Sequence, residues 1–354
     1  MNKRKSGLQK IRNFRDPPFR TISKSNQNHN TTGKEKKSML SGSLMKKEKE
    51  AIERLQAFSA EEPYYLCYSG GKDSDTIRIL AELANVNFEV HNNHTTVDTP
   101  ETVYYIREVI KQYGDKGFIH YPEKTMWQLI VEKLFPPTRL ARYCCAELKE
   151  KGGKGRRKVT GVRWAESNNR KKNQGLVTII GKPVTVQKIA TLEEANFSTT
   201  KGGGIILNTD NASERRVVES CYRTTSTLIN PIIDWTDEEV WEFLTYYGCK
   251  SNPGYCEGEK RIGCIGCPLA GGKQQKKEFE KYPKYRQAYV HAFDRMVDVL
   301  KAKGKQTFDL VNGKYWKDGE SVMRWWVGDD PIQMTIDDYM KLLEAEQSIM
   351  EEYR

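Results

Sequence analysis

The hexapeptide Ser69-Gly70-Gly71-Lys72-Asp73-Ser74 lies between an apolar run, Tyr64-Tyr65-Leu66-Cys67-Tyr68, and a segment in which Ile77, Leu80, Ala81 and Ala84 recur at helical spacing. A short apolar run closed by glycine reads as a buried parallel strand, and the periodic segment as a helix. Two adjacent glycines let the backbone turn sharply and approach a ligand with no Cβ in the way. Amides of the turn and of the first helical turn then converge on an anion, assisted by the helix dipole. The unit therefore predicts a phosphate-binding loop rather than an ordinary Gly-rich turn. Ser69 and Ser74 add hydroxyl donors and Lys72 a positive charge. A carboxylate facing phosphate would repel it, so Asp73 is expected to cap the helix or to help place a cation. The spacing is not that of the Gly-x-x-x-x-Gly-Lys-Ser/Thr loop.

The rhythm continues downstream. A second strand is expected at Asn87–His91, a helix over Pro100–Tyr113 with proline at its start, and a further strand at Arg157–Gly161. Strand and helix alternating at these lengths predict an α/β fold, a parallel twisted sheet with helices on both faces. The sequence divides into a basic arm (1–45), a nucleotide-binding core (46–167) opening with a helix at Lys46–Phe58, and an insertion of hairpins and loops (168–216). Completion of the core (217–301) and a mostly helical C-terminal extension (302–354) follow. Within the insertion a strand is expected at Leu176–Ile180. Regular structure resumes at Leu228–Ile233, Thr236 and Glu239 form a capping box for the Trp241 helix, and Tyr285–Lys301 is amphipathic.

The 354 residues carry a formal charge of +11, which suits nucleotide phosphates or a nucleic acid held by the arm and surface, or else marks only a solvated basic surface. No run approaches the roughly 18 apolar residues of a membrane span, and the basic N-terminus has no apolar stretch behind it. The expectation is a cytoplasmic protein without a membrane partner, in which eight cysteines serve metal ligation, catalysis or burial rather than disulfides.

Four later segments follow the loop in order: Thr96-Val97-Asp98-Thr99-Pro100-Glu101-Thr102, Arg142-Tyr143-Cys144-Cys145-Ala146-Glu147-Leu148-Lys149, Gly161-Val162-Arg163-Trp164-Ala165-Glu166-Ser167 and Asn230-Pro231-Ile232-Ile233-Asp234-Trp235. The loop resembles the PP-loop of the ATP pyrophosphatase superfamily, and the ordered set resembles the phosphoadenosine phosphosulfate (PAPS) reductase family within it, over roughly Tyr64 to Arg295. DNA-phosphorothioation enzymes and phage-type members are the nearest in type. The resemblance implies an adenine nucleotide alpha hydrolase-like fold that takes ATP or adenylyl sulfate. It implies that Ser69, Gly70, Gly71, Lys72, Asp73, Ser74, Asp98, Thr99, Glu101 and Arg163 line the nucleotide, with Lys72, Asp73 and Arg163 catalytic. Arginine suits tetrahedral oxyanions through its planar fork.

Cys264-Ile265-Gly266-Cys267 sets two thiolates a tight turn apart, within reach of one metal centre. Cys144-Cys145 offers a second pair, with Cys221 and Cys256 as alternates. The bare spacing admits zinc, an iron–sulfur centre or a redox dithiol; the family resemblance implies a 4Fe-4S cluster. His91 and His94 flank the end of the second strand, in reach of a ligand or as plain loop residues.

Three functions follow. The first is attack on the α-phosphate of ATP with pyrophosphate release, Mg²⁺ offsetting phosphate charge; it leads to activation or sulfur transfer, on nucleic acid or with a sulfur-donor protein. The second is a sulfonucleotide reductase releasing sulfite. Enzymes of that kind use a nucleophilic cysteine near the C-terminus, and no cysteine follows Cys267. The third is a non-catalytic nucleotide-sensing or DNA-binding module, against which the presence of Lys72, Asp73 and Arg163 speaks.

Overall fold

A computed structural model describes residues 39–180, 198–199, 204–208, 226–305, 308–309 and 314–329. Cys221, most of the basic arm, much of the insertion and the last part of the C-terminal extension lie outside the described residues.

The described elements run α1 (Gly42–Ala57), β1 (Tyr64–Cys67), α2 (Lys72–Leu83), β2 (Phe88–Asn93), α3 (Pro100–Lys111), β3 (Gly117–His120), α4 (Met126–Lys133), α5 (Tyr143–Leu148) and β4 (Arg157–Val159). There follow α6 (Asn168–Asn173), β5 (Val177–Ile180), β6 (Ser198–Thr199), β7 (Ile205–Leu207), β8 (Ser226–Ile229), α7 (Asp237–Tyr246) and α8 (Pro253–Cys256). Last come α9 (Gly272–Lys281), α10 (Pro283–Ala302), the two-residue strands β9 (Phe308–Asp309) and β10 (Lys314–Tyr315), and α11 (Gly319–Val327).

Eight of the described strands form one sheet in the order β3-β2-β1-β4-β8-β5-β7-β6. From β3 to β8 every pairing is parallel, and β5, β7 and β6 extend the sheet antiparallel. The expected α/β class with a mostly parallel sheet is what the chain adopts. From β1 the chain moves outward through β2 to β3, then returns to lay β4 on the other side of β1. That reversal makes the carboxyl ends of β1 and β4 a topological switch point, where ligands of open α/β sheets bind.

Strand alternation sorts the two faces. Tyr64 and Leu66 of β1, Phe88 and Val90 of β2, Val159 of β4 and Ile229 of β8 enter one apolar core with Leu44 and Leu55 of α1, Ile77 and Leu80 of α2, Ile106 of α3 and Phe243 of α7. Burying each such side chain contributes roughly 1.5–3 kcal/mol. On the other face Tyr65, His91 and Phe118 stack, with ring centroids 3.7 and 4.8 Å apart. A second core joins Leu129 and Ile130 of α4, Tyr143 of α5, Tyr289 and Phe293 of α10 and Trp326 of α11 to Val97, just beyond β2. No helix among the described residues is long and apolar enough to cross a membrane.

Helix boundaries follow local chemistry. Thr236 accepts Glu239 N–H at 3.3 Å and Glu239 Oε2 accepts Thr236 N–H at 2.8 Å, the expected capping box. Helix α1 starts at Gly42, earlier than Lys46, because Leu40 and Leu44 are buried against the first core. Over Leu228–Ile233, where regular structure is expected to resume, β8 ends at Ile229. Pro231 lacks the N–H a ladder needs, and the Asn230 side chain turns to Gly175 O at 2.7 Å.

Candidate functional site

The loop after β1 is closed on itself. Gly70 has φ +71°, and a Cβ there would lie 2.7 Å from Ile106 Cγ1, so glycine answers both the left-handed turn and the close approach of α3. Ser74 Oγ accepts Gly71 N–H at 3.1 Å and donates to Gly71 O at 2.7 Å, and Ser69 Oγ reaches Ser74 at 3.4 Å. Gly71 is the N-cap of α2, whose first turn carries Lys72 and Asp73. Immediately behind, the fully buried Asp75 accepts from Tyr68 at 2.8 Å and Tyr105 at 2.9 Å. Burial raises its carboxyl pKa against the opposing pull of Arg78.

The loop after β4 supplies the other wall. A Cβ on Gly161 would stand 2.9 Å from the Asp73 backbone carbonyl, so this glycine lets the β4 loop lie directly on α2. Two residues on, Arg163 is 1% exposed. Its Nε donates to Asp73 Oδ1 at 2.7 Å, its Nη1 to Trp235 O at 3.3 Å, and its Nη2 to Asp237 Oδ1. Lys72 Nζ lies 3.6 Å from Asp73 and 3.4 Å from Asp237. Burial alone would push the Asp237 carboxyl up; the Arg163 hydrogen bond and the Lys72 charge outweigh it and hold the carboxyl below its ordinary range. Two cations and two carboxylates thus converge at the carboxyl ends of β1 and β4.

Asp98, Thr99 and Glu101 lie along the start of α3. Thr99 caps that helix by accepting Thr102 N–H at 3.3 Å, and Glu101 accepts from Tyr282 at 3.0 Å. Asp98 takes Thr95 N–H at 2.9 Å and pairs by backbone with Cys264, while Ile265 N–H donates to Val97 O at 2.8 Å. The segment beyond β2 is thereby tied to the Cys264–Cys267 turn.

Cys144 and Cys145 open α5, and Cys144 stands within the electrostatic reach of Cys264 and Cys267. Donation from Cys144 to Cys145 raises the first thiol and lowers the second, and the Arg142 guanidinium adds to the lowering. Burial pushes Cys264 up and Lys149 opposes it; the Cys264 sulfur, ahead of Asp98, holds the Lys149 ammonium above its ordinary value. A cavity of about 360 Å³ opens on Cys264 and Cys267, with Lys149, Lys260, Arg261 and Lys277 on its walls. Burial, then the charges of Arg261, Arg163 and Arg142, depress Arg170, with Asp73 opposing them. Cys256 is exposed at the end of α8. Among the described residues no three His, Cys, Asp or Glu side chains converge on one metal position.

The profile of the phosphoadenosine phosphosulfate reductase domain matches residues 63–270. The chain belongs to this family. The match spans the Ser69–Ser74 loop, Arg163 and both cysteine pairs. An uncharacterized protein of Methanocaldococcus jannaschii is 25% identical over 286 residues, 77% of this chain and 59% of the relative's length, so the chain spans less than two thirds of that protein. The adenosine 5'-phosphosulfate reductase of Allochromatium vinosum is 40% identical over 42 residues, 12% of this chain and 16% of the reductase. Among solved structures, the PAPS reductase of Candida auris in a phosphate complex superposes with a TM-score of 0.36 at 14% identity, covering 64% of this chain and 97% of the other.

Within this PAPS reductase-family domain, several site residues carry no motif of their own. Asp237 looks like an acidic first-turn residue of a capped helix, yet it holds both Arg163 and Lys72. Asn252 caps, and Tyr255 sits in, a four-residue helix too short to show periodicity, yet both touch the Ser69–Ser74 loop. His91, by contrast, is buried in the ring stack, with Nδ1 2.9 Å from His120 Nε2 and Nε2 3.1 Å from Glu89.

Proposed function

We propose that this PAPS reductase-family protein binds ATP across the β1 and β4 loops and activates an acceptor by attack at the α-phosphate, releasing pyrophosphate. The observation that carries this reading is the quartet of Lys72, Asp73, Arg163 and Asp237 at the switch point. Loop amides and Lys72 receive the phosphates. Arg163, enclosed by its partners, fixes both carboxylates and offsets their charge beside an anionic ligand. Asp73 and Asp237 are the hard oxygen donors that suit Mg²⁺, which when bound neutralises charge on the phosphate oxygens. Asp98, Thr99 and Glu101 border the nucleotide from the α3 side.

The thiols of Cys144, Cys145, Cys264 and Cys267 fit a 4Fe-4S cluster by donor chemistry, two pairs sharing one electrostatic neighbourhood. Such a cluster supplies electron transfer or a sulfur-binding iron when bound. Lys149 and Arg142 supply positive charge that stabilises thiolate ligands. The cavity beside Cys264, where Lys149, Lys260, Arg261 and Lys277 outnumber Glu259 and Glu278, is where an anionic acceptor is expected to enter, with nucleic acid the class that a net charge of +11 favours.

The test is pyrophosphate release from ATP by anaerobically purified protein, alone and with DNA, RNA or a persulfide-bearing protein. Release that requires Lys72 and Asp73 supports the reading. Sulfite release from adenylyl sulfate, with no turnover of ATP, would assign the reductase reaction instead.

A further inference from the structure

Tyr255 stands where α8 meets the phosphate loop. Its Oη accepts the Lys72 backbone N–H at 2.9 Å, and a Cβ on Gly71 would lie 3.4 Å from the same oxygen. Lys72 is the first residue of α2, so this amide is one of the donors that a helix cannot satisfy internally. The phenol is firmly placed. Asn252, fully buried, donates from Nδ2 to Gly70 O at 3.1 Å and to Thr102 Oγ1 at 3.0 Å, and its Oδ1 accepts Gly254 N–H at 3.0 Å. The Tyr255 ring meets Trp241 edge-on at 4.9 Å. Three anchors therefore fix one hydroxyl over the loop.

A phenol oxygen can accept one hydrogen bond while its own proton donates another. The Lys72 amide takes the accepting side, and the hydroxyl proton has no acceptor among the described residues. Burial pushes the phenol up to about 12, with the charges of Asp73, Asp75 and Asp237 acting in the same direction, so the proton is retained at neutral pH. Its carboxylate neighbours are engaged elsewhere: Asp73 and Asp237 by Arg163, and Asp75 by Tyr68 and Tyr105.

We infer that Tyr255 belongs to the phosphate cradle: its hydroxyl accepts from the Lys72 amide and donates to a phosphate oxygen of the bound nucleotide. The tyrosine carries the polarity of the α2 N-terminus one hydrogen bond further into the site. Amide and phenol form a two-link chain, in which each bond strengthens the next. An anionic phosphate oxygen is the acceptor such a chain favours. This inference rests on the nucleotide reading above.

Calorimetric titration of wild type and Tyr255→Phe with ATP and with adenosine tests it, each protein being checked by thermal melting. Phenylalanine keeps the ring on Trp241 and removes only the hydroxyl. ATP should bind roughly ten- to a hundredfold more weakly to the variant, the range expected for a lost hydrogen bond to a charged group. Adenosine binding should change by less than about twofold. Unchanged or tighter ATP binding by the variant overturns the inference, as does an equal loss for adenosine, which marks a structural defect. If the variant melts far below wild type, fluorotyrosine-labelled wild type decides: the Tyr255 resonance should move with ATP and not with adenosine, and one unmoved by ATP overturns the inference. Wild-type protein that binds neither ligand overturns the nucleotide reading itself, and this inference with it.

Discussion

Arg163 Nε lies 2.7 Å from Asp73 Oδ1, and this ion pair fastens the loop after β4 to the first turn of α2. The same guanidinium also holds Asp237 and the Trp235 carbonyl. Arg163→Ala would leave two carboxylates facing each other beside Lys72, at the place proposed for the phosphates. Asp73 and Asp237 are partly exposed and keep Lys72, so the loss of stability should be smaller than the ~3–5 kcal/mol of a fully buried pair, and the unmasked negative charge should repel an anionic ligand. We expect a lower midpoint in chemical denaturation and at least tenfold weaker ATP binding by calorimetry. Arg163→Lys should fall between, since an ammonium lacks the planar fork whose separate nitrogens engage Asp73, Trp235 O and Asp237 at once. Wild-type affinity in the alanine variant would remove Arg163 from the site.

Gly161 makes that fastening possible. A Cβ there meets the Asp73 backbone at 2.9 Å, and backbone cannot swing aside as a side-chain tip can. Gly161→Ala is therefore expected to separate the β4 loop from α2 at about 1–3 kcal/mol, weakening ATP binding along with stability. Gly42→Ala, where nothing lies within 4 Å, is the control expected to melt as wild type does.

His91 gives a pH dependence carried by the ring stack with Tyr65 and Phe118. Burial, with the charges of His120 and Arg156, pushes its pKa down to about 4, and Glu89 only partly opposes this. In the unfolded chain the imidazole titrates near 6.5, so between these values the unfolded state binds more protons. The contribution to stability is complete above pH 6.5 and is lost as pH falls toward 4. His91→Phe preserves a ring between Tyr65 and Phe118 and removes that proton uptake. Urea midpoints measured from pH 7 down to 4.5 should fall more slowly for the variant than for wild type. Parallel profiles would contradict the shift.

How far the sequence disclosed this arrangement depended on how local each signal was. β1, α2 and α3 announce themselves through an apolar run, a glycine loop and helical periodicity. β3 does not: Gly117–His120 is a four-residue edge strand with half its side chains exposed, and its neighbours supply its ladder. The Ser69–Ser74 loop was legible because its chemistry lies in consecutive residues. The union of Arg163 with Asp73 and Asp237 was not, because it depends on β4 returning beside β1, a fact of topology rather than composition. Tyr255 escaped for the same reason, as its contact with Lys72 spans 183 positions. The arginines follow this rule too: Arg142, Arg163, Arg170 and Arg261 belong to separate segments, and only folding brings their charges to bear on one another.

The cysteines make the last prediction. Cys144 feels Cys145, Cys264 and Cys267, whereas Cys256 is exposed at the end of α8. If the first four hold a 4Fe-4S cluster, anaerobically purified protein should contain about four iron and four sulfide per chain and show a broad charge-transfer absorption. Cys264→Ser and Cys267→Ser should each abolish or bleach it, because a closed thiolate set tolerates the loss of a soft ligand poorly. Cys144→Ser and Cys145→Ser should do the same, and Cys256→Ser should leave iron content unchanged. The Cys264 variant is the sharpest of these, since Cys264 also pairs by backbone with Asp98. Serine keeps that pairing, so loss of iron with an unchanged melting curve of the metal-free protein isolates ligation from folding. Colourless protein with one zinc per chain would replace the cluster by a four-thiolate zinc site. Retention of iron by all four variants would remove these residues as ligands.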